Sequence, residues 1–559
     1  MEDIKESEVT EFLPHRKDAL QVQNAPFGKN AKRLAILAKK ELGGSSSDLA
    51  YKKDIDRKKG FPIWLVLCTL SSTVGASTQF GYNTGVITVP AQYMRAFYNE
   101  SHNDRRGSYM NPDAHTWLWA STVSVYCIGA LFGALTAGFF SNKLGRRGSL
   151  LFSNVFSIVA CVFIGISKFV NIYELVLVGR VISGYHSGLI NSLVPLYMAE
   201  IAPTALRGFI GLLHPLLMCL GILGAQVIGF YMFNGEHEWP VLLCLPPFLA
   251  SVFQLVTLPF CPESPRWLYM NRKDSDGAKR ALVRFRNSKN VDTEMKQMEE
   301  EYEKESCEER MGVGRLLYMV VFEKPHWRKP LLISCTLCLG LQMSGIMMVW
   351  FYITDIFKQA NLSDSQIAVG TIILGSLNVL GTLISSVLID RLGRRPLTIV
   401  PSFILTVSCV GITLCTRYQS QSEWLQWMCI GFIAVLVLAL SGGPGPMVYV
   451  IVSEIWPQAP RPAAMSISYI VNWSTNFSIG MFFPFLRNLF GEFVFLLFAA
   501  TMFILGMFYF FKLPETKNKT FDEIADFFRK EKQTFYEREG QNHINNHGLK
   551  YSNCNVSEV

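Results

Sequence analysis

Asn142-Lys-Leu-Gly-Arg-Arg147 returns later in the chain as Asp390-Arg-Leu-Gly-Arg-Arg395. Working outward, the stretch from Glu200 to Arg207 returns as Glu454 to Arg461, and PESPR at 262 returns loosely as PETK at 514. All three pairs share an offset of about 250 residues, the mark of a chain made from two homologous bundles of membrane helices. Positive charges at helix ends on one membrane face would produce the arginines without any repeat. They would not produce the matched glycines and acids.

Composition supports the membrane. Of 559 residues, 50% are hydrophobic and only 17% are charged, too little charge to clothe a soluble body of this size. A span needs roughly 20 mostly apolar residues, because backbone groups in hydrocarbon must be paired and a helix pairs its own. Such stretches begin near Phe61, Thr116, Ser149, Leu175, Gly208 and Trp239, and again near Leu331, Ile367, Leu397, Trp424, Ala463 and Phe493. The expected fold is therefore all-α and integral to the membrane, with twelve transmembrane helices in two six-helix bundles. Residues 1–60 form a hydrophilic tail, 61–261 the first bundle, 262–330 a charge-dense linker with helices, 331–513 the second bundle and 514–559 a second tail.

No secretory signal opens the chain, and Lys52, Lys53, Arg57, Lys58 and Lys59 stand just before the first span. With the GRR loops on the same side, the positive-inside rule places both termini in the cytosol, in the plasma membrane by default. The net charge of +8 suits a positive cytosolic face and calls for no nucleic acid. The 13 cysteines have no metal or disulfide spacing and read as packing residues. Without a nucleotide loop, metal cluster or nucleophile motif, the sequence points to no enzyme and no cofactor. Asn99-Glu-Ser101, in the long loop after the first span, is the expected N-glycosylation site, with Asn361 as a second.

FGYNTGVI at 80, GRVISGYHSG at 179, VPLYMAEIAPTALRG at 194, PESPRWL at 262, GGPGP at 442, RPAA at 461, NWSTNF at 472 and PETKNKTFDEIADFF at 514 resemble the facilitative glucose-transporter family, sugar porters of the major facilitator superfamily. The resemblance covers about Phe61 to Arg529 and implies a small-molecule carrier with a central cavity and alternating access across the lipid bilayer. Asn83 stands where proton-coupled relatives carry an aspartate, so the resemblance implies facilitated diffusion of a hexose or related polyol. Other readings are a non-sugar organic solute and a sugar sensor that does not transport.

Carried over by motif, the substrate-binding residues are Gln226, Gln342, Asn378, Asn472, Trp473 and Asn476, with Trp350 and Tyr449 as further candidates, amides and rings suited to a sugar's hydroxyls and apolar face. Helix-to-helix hydrogen bonding is the competing role for the amides. The pattern departs at Pro215, Leu341 and Met347, where the family has three amides, and at Ser441 and Tyr449, where it has an acid and a tryptophan. Three lost hydrogen bonds at about 1 kcal/mol each lower hexose affinity by roughly two decades. A cytosolic latch is expected from Arg180, Arg207, Arg394 and Arg461 pairing with Glu200, Asp390 and Glu454 across the two bundles.

Overall fold

The computed structural model describes residues 62–203, 206–233, 235–307, 312–359, 363–418, 422–457, 459–517, 519 and 523–524. Their regular elements are all helical. The first bundle holds α1 (Ile63–Thr88), a short α2 (Ala91–Arg106), α3 and α4 within Pro112–Phe169, α5 (Glu174–Ile201), α6 (Arg207–Tyr231) and α7 (Trp239–Thr257). The linker carries α8 (Pro265–Met270), α9 (Ser275–Arg286), α10 (Asp292–Cys307) and α11 (Val313–Tyr318). The second bundle follows with α12 (Arg328–Gln342), α13 (Ile346–Gln359), α14 (Asp364–Leu392), α15 (Arg394–Tyr418), α16 (Glu423–Gly442), α17 (Pro444–Ile455), α18 (Arg461–Phe490) and α19 (Val494–Lys512). The spanning helices begin within four residues of the starts expected from hydropathy.

Among the described residues nine stretches are long and apolar enough to cross a membrane, and two of them, Pro112–Phe169 and Arg461–Lys512, each contain two helices that are themselves of spanning length. In the first the break falls at Gly145, whose φ of 81° suits a residue without Cβ, so α3 is 112–144 and α4 is 146–169. In the second, Gly491 at φ 56° ends α18 before α19 begins. The 28-residue α5 lies outside the nine because it is more polar, yet Arg180, His186 and Ser187 on it are buried. Small residues permit that burial: a Cβ on Gly184 would stand 2.0 Å from the Tyr126 carbonyl oxygen of α3.

The sequence repeat is a structural repeat. Gly145 and Gly393 have φ of 81° and 88°, and each precedes the first turn of a helix. The Glu263 carboxylate accepts from Arg146 N at 2.9 Å and Arg147 N at 3.0 Å; Glu515 accepts from Arg394 N at 2.9 Å and Arg395 N at 3.0 Å. Each acid thus satisfies the unpaired N–H groups of a helix start and sits at the positive end of its dipole. PESPR and PETK exist to deliver these carboxylates.

One expectation changes. Asn99 lies on α2, a helix closed by Gly107 at φ 70°, rather than on an irregular loop, because the residues after the first span continue in helical register. Asn361 lies outside the described residues.

Candidate functional site

Between the bundles is a cavity of about 190 Å³. Helices α12, α14 and α18 supply its polar wall: Gln342, Asn378, Asn472, Trp473 and Asn476 all line it, with Trp350 of α13 and Tyr449 of α17. Asn472 and Asn476 are four apart on α18 and share its inner face. Gln342 Nε2 donates to Asn472 Oδ1 at 2.7 Å, which fixes both amides and leaves Gln342 Oε1 buried without a protein partner. Asn476 Oδ1 and Trp473 Nε1 are buried and unpaired in the same way. These two acceptors and one donor belong to residues that line one cavity, where buried polar groups would ordinarily be satisfied.

The first bundle's wall is different. Phe80, Pro215, Met218, Cys219 and Ile222 contribute mostly carbon and sulfur, relieved by Thr84, Tyr126 and Asn191. Phe80 meets Trp473 edge-on across the cavity, ring centroids 6.2 Å apart. The positions flagged as departures, Pro215, Leu341, Met347, Ser441 and Tyr449, all line the cavity. None of the described lining residues carries a formal charge.

Gln226 stands apart from the others. It is buried on α6 with its Oε1 packed against Gly375 of α14 and is not among the described lining residues. His214, about two turns into that helix, bonds Ser77 of α1 through Nδ1 at 2.8 Å, a packing contact within the first bundle.

The charged residues at the GRR end pair inside each bundle. Arg146 Nη2 meets Glu200 Oε1 at 2.7 Å, and Arg394 Nη2 meets Glu454 Oε1 at 2.9 Å. A hydroxyl completes each set: Ser264 donates to Glu200, and Thr516 to Glu454 at 2.6 Å. Glu200 and Glu454 therefore do not reach across the bundle interface here, because each is saturated by partners of its own half. Arg146, Glu263 and Glu515 were missed as members of these sets, although the paired PESPR and PETK motifs carried the signal. Arg207 is exposed and stands in the field of Arg266 and Glu301 of the linker, and Arg461 donates to the Trp456 carbonyl at 3.1 Å. The side chain of Asp390 lies outside the described residues.

Arg180 requires a correction. It lies near the start of α5, at the opposite end from Glu200, and is fully buried. Its Nη1 donates to Asn83 O at 3.0 Å, and its guanidinium stands 4.6 Å over the Tyr126 ring. It braces α1 against α3 and α5 and is no part of a latch at the GRR end. The spacing of charge in a motif says nothing about which end of a span faces which partner.

At the end away from the GRR motifs the two bundles are joined directly. Thr88 Oγ1 donates to Trp350 O at 2.6 Å, Thr354 Oγ1 to Thr88 O at 3.4 Å, and Lys358 Nζ to Gln92 Oε1 at 3.1 Å. Deeper, the Cys219 thiol and Thr382 hydroxyl lie 3.2 Å apart between α6 and α14.

A model of the family described as sugar (and other) transporters matches residues 68–528. Facilitated glucose transporter member 1 of Gallus gallus is 37% identical over 465 residues, which is 83% of this chain and 93% of that protein. Member 3 of Ovis aries is 37% identical over 471 residues, 84% and 94% of the two chains. Among solved structures, the inward-open xylose transporter XylE from E. coli aligns with a TM-score of 0.67 at 23% identity, covering 83% of this chain and 99% of that one. XylE bound to 6-bromo-6-deoxy-D-glucose aligns at 0.68 and 22% identity, with 83% and 99% coverage. With the repeat, the two bundles and the cavity between them, these matches establish that this integral membrane chain belongs to the sugar (and other) transporter family.

Proposed function

We propose that the protein is a facilitative carrier of an uncharged hexose or related polyol, working by alternating access. Counting two spans in each of Pro112–Phe169 and Arg461–Lys512 and adding α5 gives twelve spans, an even number that keeps both termini on one side; the basic residues before the first span favour the cytosol for that side, with bundles over 61–261 and 331–513. The observation that carries the reading is the group of buried, unpaired amide and indole atoms from Gln342, Trp473 and Asn476 around a cavity whose described lining is uncharged. The bonds at Thr88, Thr354 and Lys358 join the two bundles at the outer end, which supports a conformation closed to the outside. Reopening outward requires only a rigid tilt of one bundle against the other, since the Glu200 and Glu454 sets each move intact. Trp473 and Phe80 supply ring faces for the substrate's carbon skeleton.

Asn83 and the uncharged lining supply no group that could bind and release a proton, so transport runs down the substrate gradient. Uptake of labelled hexoses, pentoses and polyols into vesicles containing the purified protein tests this. Equilibration to the outside concentration, unaffected by a collapsed proton gradient, is the expected result; accumulation above it overturns the reading. A second reading, a less hydroxylated organic solute, is favoured by the apolar first-bundle wall at Phe80, Pro215, Met218 and Ile222 and would show as uptake outside the sugar panel. The same topology places Asn99 outside the cell, and loss of the glycosidase-sensitive band shift in Asn99→Gln checks it.

A further inference from the structure

The linker ends in a segment whose two faces are both apolar. On α11 and the π turn that continues it through Glu323, Leu316 and Val320 are buried in the cluster with Ile451, Val452 and Trp456 of the second bundle. Leu317, Tyr318, Val321 and Phe322 lie on the other face, 43, 55, 48 and 71% exposed, with the rings of Tyr318 and Phe322 5.1 Å apart. Their spacing of one and four residues makes a single stripe. A linker in water has no reason to expose four large apolar side chains on one side.

We propose that this stripe is an interfacial anchor, seated among the headgroups and upper acyl chains of an anionic bilayer leaflet at the GRR end. Continuity with the bilayer surface supports it: the next helix, α12, enters the membrane at Arg328, six residues after Phe322. Charge complementarity supports it too, since 313–329 carries Arg315, Lys324, Arg328 and Lys329 against Glu323 alone among acids. Aromatic rings beside basic residues on an amphipathic turn are the composition of such anchors. The anchor is firmly coupled to the bundle: Arg328 donates from Nε to Val320 O at 3.1 Å and from Nη2 to Val321 O at 2.6 Å. Because α11 packs against α18, in one cluster with residues of α17, which carries Glu454, the leaflet has mechanical purchase on the second bundle as it tilts in the access change.

The proposal needs the chain to span a bilayer and is independent of what it carries. Full-length Phe322→Cys, bearing an environment-sensitive fluorophore and corrected with identically treated parent, is placed in phosphatidylcholine vesicles with and without phosphatidylserine. A blue-shifted emission, resistance to aqueous iodide and quenching by lipids brominated near the headgroup are expected, all stronger with phosphatidylserine. Leu317→Cys on the same stripe repeats the test should the first label disturb folding, and Lys289→Cys on the exposed linker should stay open to iodide. Iodide quenching at Phe322 and Leu317 equal to that at Lys289 overturns the proposal. Protection that disappears as protein is diluted in lipid also overturns it, in favour of a second copy covering the stripe.

Discussion

Replacing Gln342 by leucine removes one amide from the cavity while keeping the apolar volume. The structure sets the size of the effect. Gln342 Oε1 is buried without a protein partner and offers one acceptor to a substrate hydroxyl, while its Nε2 is spent on Asn472 Oδ1 at 2.7 Å. Loss of one neutral hydrogen bond is worth about 0.5 to 1.5 kcal/mol, so the half-saturation concentration for the native substrate should rise roughly two- to tenfold. A second consequence follows from the shared bond. With Gln342 gone, Asn472 loses the contact that orients it, so part of its own contribution is already lost in the single variant. The penalties of Gln342→Leu and Asn472→Leu should then overlap in the double variant by about 0.5 kcal/mol or more, as expected for residues in one network. Initial uptake rates in vesicles, over a range of substrate and at matched protein insertion, give all four corners of the cycle. Unchanged half-saturation in Gln342→Leu, or strictly additive penalties, would show that the pair serves helix packing and that the substrate binds elsewhere.

Restoring amides should act in the opposite sense: Leu341→Gln with Met347→Asn places two hydrogen-bonding groups on the cavity lining and should improve glucose competition by about 2 kcal/mol, roughly thirtyfold. Gly184→Ala drives a methyl to 2.0 Å from the Tyr126 backbone oxygen, which cannot yield as a side chain would, and should lower stability by about 1 to 3 kcal/mol in thermal unfolding in detergent, whereas Gly138→Ala, with nothing within 4 Å, should be silent. Partial burial pushes the Glu515 carboxyl up, but the backbone N–H groups of Lys517, Arg394 and Arg395 outweigh it and hold the carboxyl below its usual range. A depressed folded-state value contributes stability above the unfolded carboxylate range and loses it as pH falls through the folded value, so Glu515→Gln should flatten the acid limb of the unfolding curve relative to the parent.

How far the sequence could be read depended on the kind of information each residue carries. Hydropathy sets span positions through a requirement on every residue in a window, and the helices began within four residues of expectation. Motif register placed Asn472, Trp473 and Asn476 together on one helix, and all three line the cavity. Gln226 is less legible from its motif: its Oε1 is buried without a protein partner beside Gly375, outside the described cavity lining. Charge pairing was the least legible. Opposite charges in paired motifs suggested bonds between the bundles, yet Glu200 and Glu454 found partners within their own halves, and Arg180 lay at the other end of its helix. Which arginine reaches which acid depends on three-dimensional proximity that a linear motif does not encode.

The carboxylate that fastens each GRR turn arrives late in synthesis. Arg146 precedes Glu263 by 117 residues, and Arg394 precedes Glu515 by 121, so each helix start must leave the ribosome long before the acid that will neutralise it exists. Glu263, however, is made before any of the second bundle. The first half can therefore fasten its own ring of helices and become a finished template while α12 to α19 are still being translated, as domains generally do when they fold in order of emergence. The second half's acid likewise lies beyond its last spanning helix, but it emerges only after the first bundle has been closed. A stall or truncation between Lys512 and Glu515 would leave a chain with every span inserted and only one bundle clasped, and quality control in the membrane would meet it in that state.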